Sequence, residues 1–318
     1  MTILSLLAGL VLLCVGGEIL VRGAVRSARA FRVSPLLIGL TVVGFGTSTP
    51  ELATSVIAAT EGSPGIAVGN VVGSNIANIL LILGISALIA PLAVKPAAFH
   101  RDGAVLAAST FACLLAVVAG FLSSLIGGVL VALLVAYVAW AYIKERSPHD
   151  GGRETHEHTA ENAAPPPRTR LALSIGLTIG GIAGTILGAR LLVSAAIELA
   201  TGMGISQTVI GLTVVAVGTS LPELVVCVIA ALRGHGDVCL GNIIGSNIYN
   251  VFGILGLTAI IHPIAVPAEI AALDIWVLVG ATLLLMVFLR TSWRLNRIEG
   301  GVFVAAYAAY LGYLASVA

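Results

Sequence analysis

The 318-residue chain is predicted to be an all-α integral membrane protein whose ten transmembrane helices form two inverted-topology repeats of five. Composition and an internal repeat predict this architecture. Hydrophobic residues make up 58% of the chain and charged residues only 10%, with a mean hydropathy of +1.08. In soluble domains about a quarter of the residues are charged. Residues 39–94 also match residues 211–266 without a gap at 31 of 56 positions.

Ten apolar stretches are long enough to cross a bilayer, which takes about 20 mostly apolar residues. Because each repeat holds an odd number of spans, the second copy must enter the membrane from the opposite side. The chain then divides into a first repeat at 1–143, a cytoplasmic linker at 144–170 and a second repeat at 171–318. The predicted spans are 3–30, 34–60, 65–90, 102–121, 123–143, 171–200, 206–232, 238–261, 270–289 and 298–316.

The first span and the linker are the two segments whose roles need separate justification. The span at 3–30 has no basic segment before it and no small-residue cleavage site after it, so we expect a retained helix rather than a signal peptide. The linker carries five basic and five acidic residues and ends in Pro165, Pro166 and Pro167. Such a composition predicts a solvated connection.

Basic residues predict the orientation, because cytoplasmic loops carry an excess of Lys and Arg. With the N-terminus outside, every one of the 16 Lys and Arg residues except Arg190 falls on the cytoplasmic side. Both termini are then extracytoplasmic, and the protein is expected in the inner or plasma membrane of the cell.

Each repeat places one carboxylate, Glu51 or Glu223, within apolar sequence. An acid at the bilayer centre costs about 2.5 to 3.5 kcal/mol on insertion scales, so two acids in equivalent positions require a compensating cation. Pro50 precedes Glu51 and is expected to kink the helix and free backbone carbonyls around Gly46. Carboxylates, hydroxyls and carbonyls are hard ligands suited to Na+ or Ca2+. The hydroxyls beside the acids belong to Thr47, Ser48, Thr219 and Ser220.

The following span of each repeat adds neutral polar groups in the sequences GNVVGSNIAN and GNIIGSNIYN. Their GxxxG spacing allows close helix packing. Ser74 and Asn78 are four residues apart and share one helix face, as do Ser246 and Asn250. Alone, such residues usually serve helix packing. Next to an intramembrane glutamate in both repeats, they are predicted to be ion ligands, and the sequence predicts an ion pathway.

The motifs GTSTPE with GSNIAN, and GTSLPE with GSNIYN, resemble the two α-repeats of the cation/Ca2+ exchanger superfamily, specifically its prokaryotic Na+/Ca2+ exchanger branch. The resemblance extends over all ten predicted spans. It implies that the second and third helices of each half surround an ion cluster at the membrane midplane. It implies central ligand roles for Glu51 and Glu223. It implies further oxygens from Thr47, Ser48, Ser74, Thr219, Ser220 and Ser246 and from the backbone carbonyls of Gly44 and Ala216.

One feature departs from the pattern of some relatives, which carry an aspartate at the position of Asn78 or Asn250. Here both residues are amides. Two central carboxylates balance the charge of one Ca2+, and the missing acid argues against a proton-coupled or K+-dependent variant. The resemblance implies a secondary active transporter and not an enzyme. It would export cytoplasmic Ca2+ in exchange for Na+ entry by alternating access, without a cofactor.

Other functions that use intramembrane acids fit the sequence less well. A Ca2+/H+ exchanger is the alternative, since Glu51 and Glu223 could bind protons. An intramembrane aspartyl protease requires paired aspartates, and a channel requires a continuous polar pore. The expected partners are Ca2+, Na+ and the lipid bilayer, with no nucleic acid and no obligate protein partner. Glu18 and Arg190 occupy equivalent positions and are expected to snorkel, to pair across the interface or to form a gate.

Overall fold

The structure is a computed structural model that describes residues 2–31, 33–62, 64–146, 168–202 and 216–317. Eight helices in these residues are long and apolar enough to cross a membrane, and a bent helix pair adds a ninth candidate. The chain is thus a helical membrane protein. Of the predicted span 206–232, residues 206–215 lie outside the described residues, as does most of the predicted linker, 147–167.

The helices and strands follow one another in a regular order. The helices are α1 (Thr2–Phe31), α2 (Pro35–Thr47), α3 (Thr49–Thr60), α4 (Pro64–Ile89), α5 (Pro96–Val118), α6 (Ser124–Arg146), α7 (Arg168–Gly202), α8 (Ala216–Thr219), α9 (Leu221–Leu232), α10 (Gly236–Ile261), α11 (Ile270–Ser292) and α12 (Arg297–Val317). Four strands of two residues each were not part of the all-α prediction: β1 (Leu92–Ala93), β2 (Phe121–Leu122), β3 (Ile264–Ala265) and β4 (Arg294–Leu295). β1 pairs antiparallel with β4 and β2 with β3, which satisfies backbone groups where the chain leaves the helices.

One helix boundary differs clearly from the prediction. The span predicted at 102–121 is α5, which begins at Pro96. Arg101 Nε donates to Asp102 Oδ1 at 2.7 Å, and Tyr137 Oη donates to the same oxygen at 2.9 Å. Because this charge is paired within the helix, in the π-helical turn Phe99–Gly103, the helix continues through it.

Helices α1 and α7 cross as an antiparallel pair with their backbones in contact. A Cβ atom on Gly16 would lie 2.6 Å from the backbone nitrogen of Thr185, and one on Gly23 would lie 2.6 Å from that of Thr178. The hydroxyls of Ser27 and Thr178 are 3.2 Å apart. Small residues permit such approach between membrane helices. Helices α1 and α7 therefore form one packed unit, called the α1–α7 unit below.

Helices α2 and α10 approach even more closely, and this contact positions the polar motifs. A Cβ atom on Gly245 would lie 1.9 Å from the carbonyl oxygen of Leu40, and one on Gly241 would lie 2.2 Å from that of Leu36. The close packing predicted from the GxxxG spacing is therefore confirmed for the second repeat.

Gly245→Ala is expected to lower the melting temperature of the purified protein, because the added methyl group must push the Leu40 carbonyl away. Overpacking of this kind costs about 1 to 3 kcal/mol. Thermal unfolding in detergent, followed by size-exclusion chromatography, measures the change. Gly280→Ala is the matched control, since a Cβ atom there meets nothing within 4 Å. Equal melting temperatures for the two variants would contradict the packing argument.

Several contacts join residues that are 172 positions apart. The hydroxyls of Thr110 and Thr282 are 3.1 Å apart. Asn75 Nδ2 donates to the carbonyl of Asn247 at 3.2 Å, and Asn247 Nδ2 donates to the carbonyl of Asn75 at 3.3 Å. Self-matched contacts of this kind are what a two-fold axis produces. They agree with the predicted repeat. The ten-helix arrangement stays a prediction, because part of the second repeat lies outside the described residues.

Candidate ion-binding site

Both intramembrane carboxylates lie at the beginning of a half-helix. Helices α2 and α3 meet at Ser48 with a bend of 43°. Pro50 explains the break, because it lacks an N–H and its ring clashes with the preceding turn. Glu51 therefore occupies the first turn of α3, and Glu223 occupies the first turn of α9 after the break at Ser220. The positive end of a helix dipole favours a negative charge at such a position.

The backbone carbonyls before the break have different partners. The carbonyl of Gly46 has no helical donor, because Pro50, four residues later, lacks an N–H. Thr49 Oγ1 donates to this carbonyl instead at 2.9 Å. The carbonyl of Gly44 accepts from Ser246 Oγ at 3.3 Å. The oxygen predicted to be free at Gly46 is thus capped, and so is that of Gly44, which also accepts from the Ser48 backbone N–H at 3.1 Å and from Thr47 Oγ1 at 3.3 Å.

Side chains of the first half contact α9 and α10 of the second half. Ser48 Oγ donates to Glu223 Oε1 at 3.0 Å. Thr47 Oγ1 lies 3.3 Å from Asn242 Oδ1. Glu51 and Glu223 are each 1% exposed, and within the described part of the chain neither forms an ion pair with Lys, Arg or His. Two buried like charges without a cationic side chain need another source of neutralisation.

Four asparagines of α4 and α10 form a closed hydrogen-bond network. Asn75 and Asn247 each donate Nδ2 to the other's backbone carbonyl. A carbonyl can only accept, so these two bonds determine how both amides are oriented. The Oδ1 atoms of Asn75 and Asn247 then accept from Asn250 Nδ2 and Asn78 Nδ2, each at 2.9 Å.

This network leaves the Oδ1 atoms of Asn78 and Asn250 without a hydrogen-bond partner among the described residues. Glu51 Oε2, Glu223 Oε2 and Ser220 Oγ are buried, and they too lack a partner within the part of the chain that the structure describes. Buried polar atoms are nearly always paired. All five of these atoms are oxygens of the two acids or of the polar motifs beside them in sequence, and oxygen is the ligand type that a hard cation prefers. Two further buried atoms of this kind, Ser86 Oγ and Thr258 Oγ1, lie elsewhere in the described residues.

The other predicted ligands lie on the same helices or next to them in the chain. Ser74 is buried in the turn before Asn78. Thr219 is half-buried and lines a groove beside α7, and Ala216 is the first residue of α8. Asn78 and Asn250 lie in the π-helical stretches Ala77–Leu83 and Tyr249–Leu255. π-helical turns frequently occur at functional sites.

Sequence reasoning missed the role of Asn75 and Asn247, which orient the two amides rather than face the acids. The signal was present, since both GSN motifs carry an asparagine at this position. The prediction considered only the helix face that Ser74 and Asn78 share, and Asn75 is not on that face. A sequence pattern shows which residues share a helix face, but it does not show which residues of another helix contact that face.

The chain is similar to membrane ion exchangers over nearly all of its length. The family described as sodium/calcium exchanger protein matches residues 1–143 and 173–315. CaxA of Alkalimonas amylolytica is 40% identical over 96% of this chain and 95% of its own length. The sodium/calcium exchanger MaX1 of Methanosarcina acetivorans is 37% identical over 97% of each chain.

A solved structure gives the same result in three dimensions. The sodium-calcium exchanger NCX_Mj, soaked with 10 mM Na+ and zero Ca2+, matches with a TM-score of 0.85 at 35% identity. The match covers 98% of this chain and 99% of that chain. On sequence and on fold, the chain therefore belongs to the sodium/calcium exchanger protein family of membrane ion exchangers.

Proposed function

We propose that the protein is a secondary active antiporter that exports cytoplasmic Ca2+ in exchange for Na+ entry by alternating access at one site. The cluster of unpaired buried oxygens around Glu51 and Glu223 carries this proposal. Membership of the exchanger family supports Na+ and Ca2+ as the substrates. The proposal includes ten spans in two inverted repeats, extracytoplasmic termini and a cytoplasmic linker at 144–170.

The proposed ligands are the oxygens that surround the two half-helix breaks. They are the carboxylates of Glu51 and Glu223, the amide oxygens of Asn78 and Asn250, the hydroxyls of Thr47, Ser48, Ser74, Thr219, Ser220 and Ser246, and the carbonyls of Gly44 and Ala216. Ca2+ takes roughly six to eight oxygen ligands. The set is larger than one Ca2+ requires, which allows Na+ ions to use partly different oxygens of the same cluster.

The charge of the site explains why the carrier exchanges ions rather than leaking them. Closing around Glu51 and Glu223 without a cation would bury two uncompensated like charges. Bound Ca2+ or Na+ removes this penalty, so the loaded carrier closes and the unloaded one does not. Asn78 and Asn250 contribute oxygens without adding charge, which keeps the site balanced for one Ca2+.

Ca2+ uptake into sealed vesicles that contain the purified protein tests the proposal. Uptake is expected to require an outward Na+ gradient and no pH gradient, and protein-free vesicles are the control. Uptake driven by a pH gradient in the absence of Na+ would identify Ca2+/H+ exchange instead. No coupled uptake under either gradient would contradict antiport altogether.

Asn250→Asp is expected to preserve part of the transport and to extend acid inhibition to higher pH than in the parent protein. Protons compete with cations for Glu51 and Glu223, and the added carboxyl group introduces a third proton acceptor. It also faces Asn75 Oδ1, an acceptor, so a bound proton restores the lost hydrogen bond. Na+-dependent Ca2+ uptake in an acid-to-alkaline series measures the effect.

Asn296→Asp is the matched control for this change. Asn296 Oδ1 accepts from the Glu299 backbone N–H at the beginning of α12, where aspartate caps a helix as well as asparagine does. Its pH profile should equal that of the parent. An Asn250→Asp protein with that same profile would show that the amides serve helix packing only.

A further inference from the structure

Four charged residues outside the candidate site occupy equivalent positions in the two repeats, and each residue has the opposite charge of its equivalent. Glu18 of α1 matches Arg190 of α7, and Glu61 after α3 matches Arg233 after α9, each 172 positions later. If Glu18 pairs with Arg233, the matched pair is Arg190 with Glu61. Both members change sign together, so the matched pair remains oppositely charged. A change at one position alone would have placed like charges opposite each other.

The structure joins one of these two pairs and not the other. Arg233 Nη2 lies 2.8 Å from Glu18 Oε1, and Arg233 Nε donates to Glu18 Oε2 at 3.1 Å. Arg22 also donates to Glu18. Glu18 therefore does not pair with Arg190. Arg190 and Glu61 are both exposed, and neither forms an ion pair with the residues that the structure describes.

The helices are also packed closely beside the formed ion pair and are apart beside the unformed one. Helix α1 lies directly against α9, because a Cβ atom on Gly17 would be 2.8 Å from Ile229 Cδ1 and 2.9 Å from Val225 Cγ1. This apolar contact lies beside the pair of Glu18 and Arg233. The side of the molecule that carries the formed ion pair is thus closed between α1 and α9.

The matched surfaces of α7 and α3 are separated by a groove of about 260 Å³. Arg190 lines this groove together with Ala189, Ile57 and Ala53. The last three are the repeat equivalents of Gly17, Ile229 and Val225, which are in contact on the closed side. Glu61 is the residue directly after α3, and its backbone N–H still donates to the carbonyl of Ile57 at 2.9 Å, so Glu61 lies one turn beyond Ile57 at the end of this helix. The unformed ion pair thus flanks the open groove.

We infer that Glu18–Arg233 and Arg190–Glu61 are alternative latches that determine which side of the membrane the site faces. The first holds one side closed in the conformation seen here. The second forms when the α1–α7 unit moves against the half-helices, closes the groove and separates Glu18 from Arg233. This inference rests on the proposed alternating access and assigns positioning roles to four residues that do not bind the transported ions.

The exposure of the pair is consistent with a contact that breaks in every cycle. The side chains of Glu18 and Arg233 are 24% and 55% exposed, and exposed ion pairs are individually weak. Removing one latch should therefore change the ratio of the two conformations by roughly two- to fivefold without unfolding the protein.

Cross-linking of Glu61→Cys with Arg190→Cys in vesicles tests the second latch directly. The background is Cys14→Ser, because Cys14 is the exposed member of the four free cysteines. A short bifunctional thiol reagent is expected to join the two positions while Na+ and Ca2+ are exchanged, and to stop exchange. Adding Glu18→Gln should raise the initial rate of cross-linking roughly two- to fivefold. Glu269→Gln, which removes an exposed charge elsewhere, should leave it unchanged.

A charge exchange separates a latch from a merely structural contact. Glu18→Arg combined with Arg233→Glu should return the cross-linking rate to that of the Cys14→Ser protein that carries only the two introduced cysteines, whereas Arg233→Glu alone should raise it. If the two cysteines never cross-link while each single-cysteine variant still exchanges Na+ for Ca2+, the latch inference is overturned. Absence of Na+-dependent uptake in the parent protein would instead contradict the proposed function.

Discussion

Glu51→Gln and Glu223→Gln are each expected to abolish Na+-dependent Ca2+ uptake in proteins that still insert into the membrane. Glutamine preserves the size of the side chain and one oxygen but removes the charge that a divalent cation requires. Ca2+ affinity depends steeply on the number of carboxylate ligands, so a loss on the order of a hundredfold or more is expected. Uptake into vesicles and Ca2+ titration of the purified protein measure the two effects.

The structure predicts that these two variants remain folded. The hydrogen bond from Ser48 Oγ to Glu223 Oε1 can be kept by the glutamine oxygen, and removing a buried charge lowers the cost of burial. Glu269→Gln is the matched control, because it removes an exposed carboxylate and should leave uptake intact. Exchange at the parental rate in either site variant would rule out a central cluster built on both acids.

Asn75→Ala is expected to weaken Ca2+ binding even though Asn75 is not a proposed ligand. The substitution removes the acceptor of Asn250 Nδ2 and the donor to the Asn247 carbonyl. Each buried group left unpaired costs about 1 to 3 kcal/mol. Rotation of the Asn250 amide relieves part of this cost and turns its oxygen away from the site. A decrease in Ca2+ affinity of roughly ten- to a hundredfold is therefore expected, and titration of the purified protein measures it.

Ser86→Ala provides the comparison on the same helix. Ser86 is fully buried in α4, and its hydroxyl has no hydrogen-bond partner among the residues that the structure describes, so its removal should leave Ca2+ affinity unchanged. Melting temperatures of both variants distinguish a binding defect from unfolding. Parental affinity in a folded Asn75→Ala protein would show that the asparagine network does not orient the Asn250 amide.

The sequence alone predicted the membrane class, most span boundaries and the family, because these depend on local properties of the chain. Apolar runs locate helices wherever the lipid excludes water, and a proline breaks a helix whatever lies around it. Pro50 thus indicated the break next to Glu51, and the internal match of 31 in 56 positions identified the equivalent acid. Among the accurately predicted spans are 3–30 and 238–261, which the structure extends only to Thr2–Phe31 and Gly236–Ile261.

Contacts between distant residues could not be read from these patterns. The equivalence of Glu18 and Arg190 left snorkelling, pairing across the interface and gating open, and in the structure Glu18 pairs with Arg233, which is 215 positions away. Likewise, neither GSN motif shows that its first asparagine meets the other motif and orients its second amide. Such contacts depend on how helices cross and at what register. Crossing angle and register are set where glycines allow two helix backbones to approach closely. Such a contact depends on the surfaces of both helices, whereas a sequence motif describes the surface of only one.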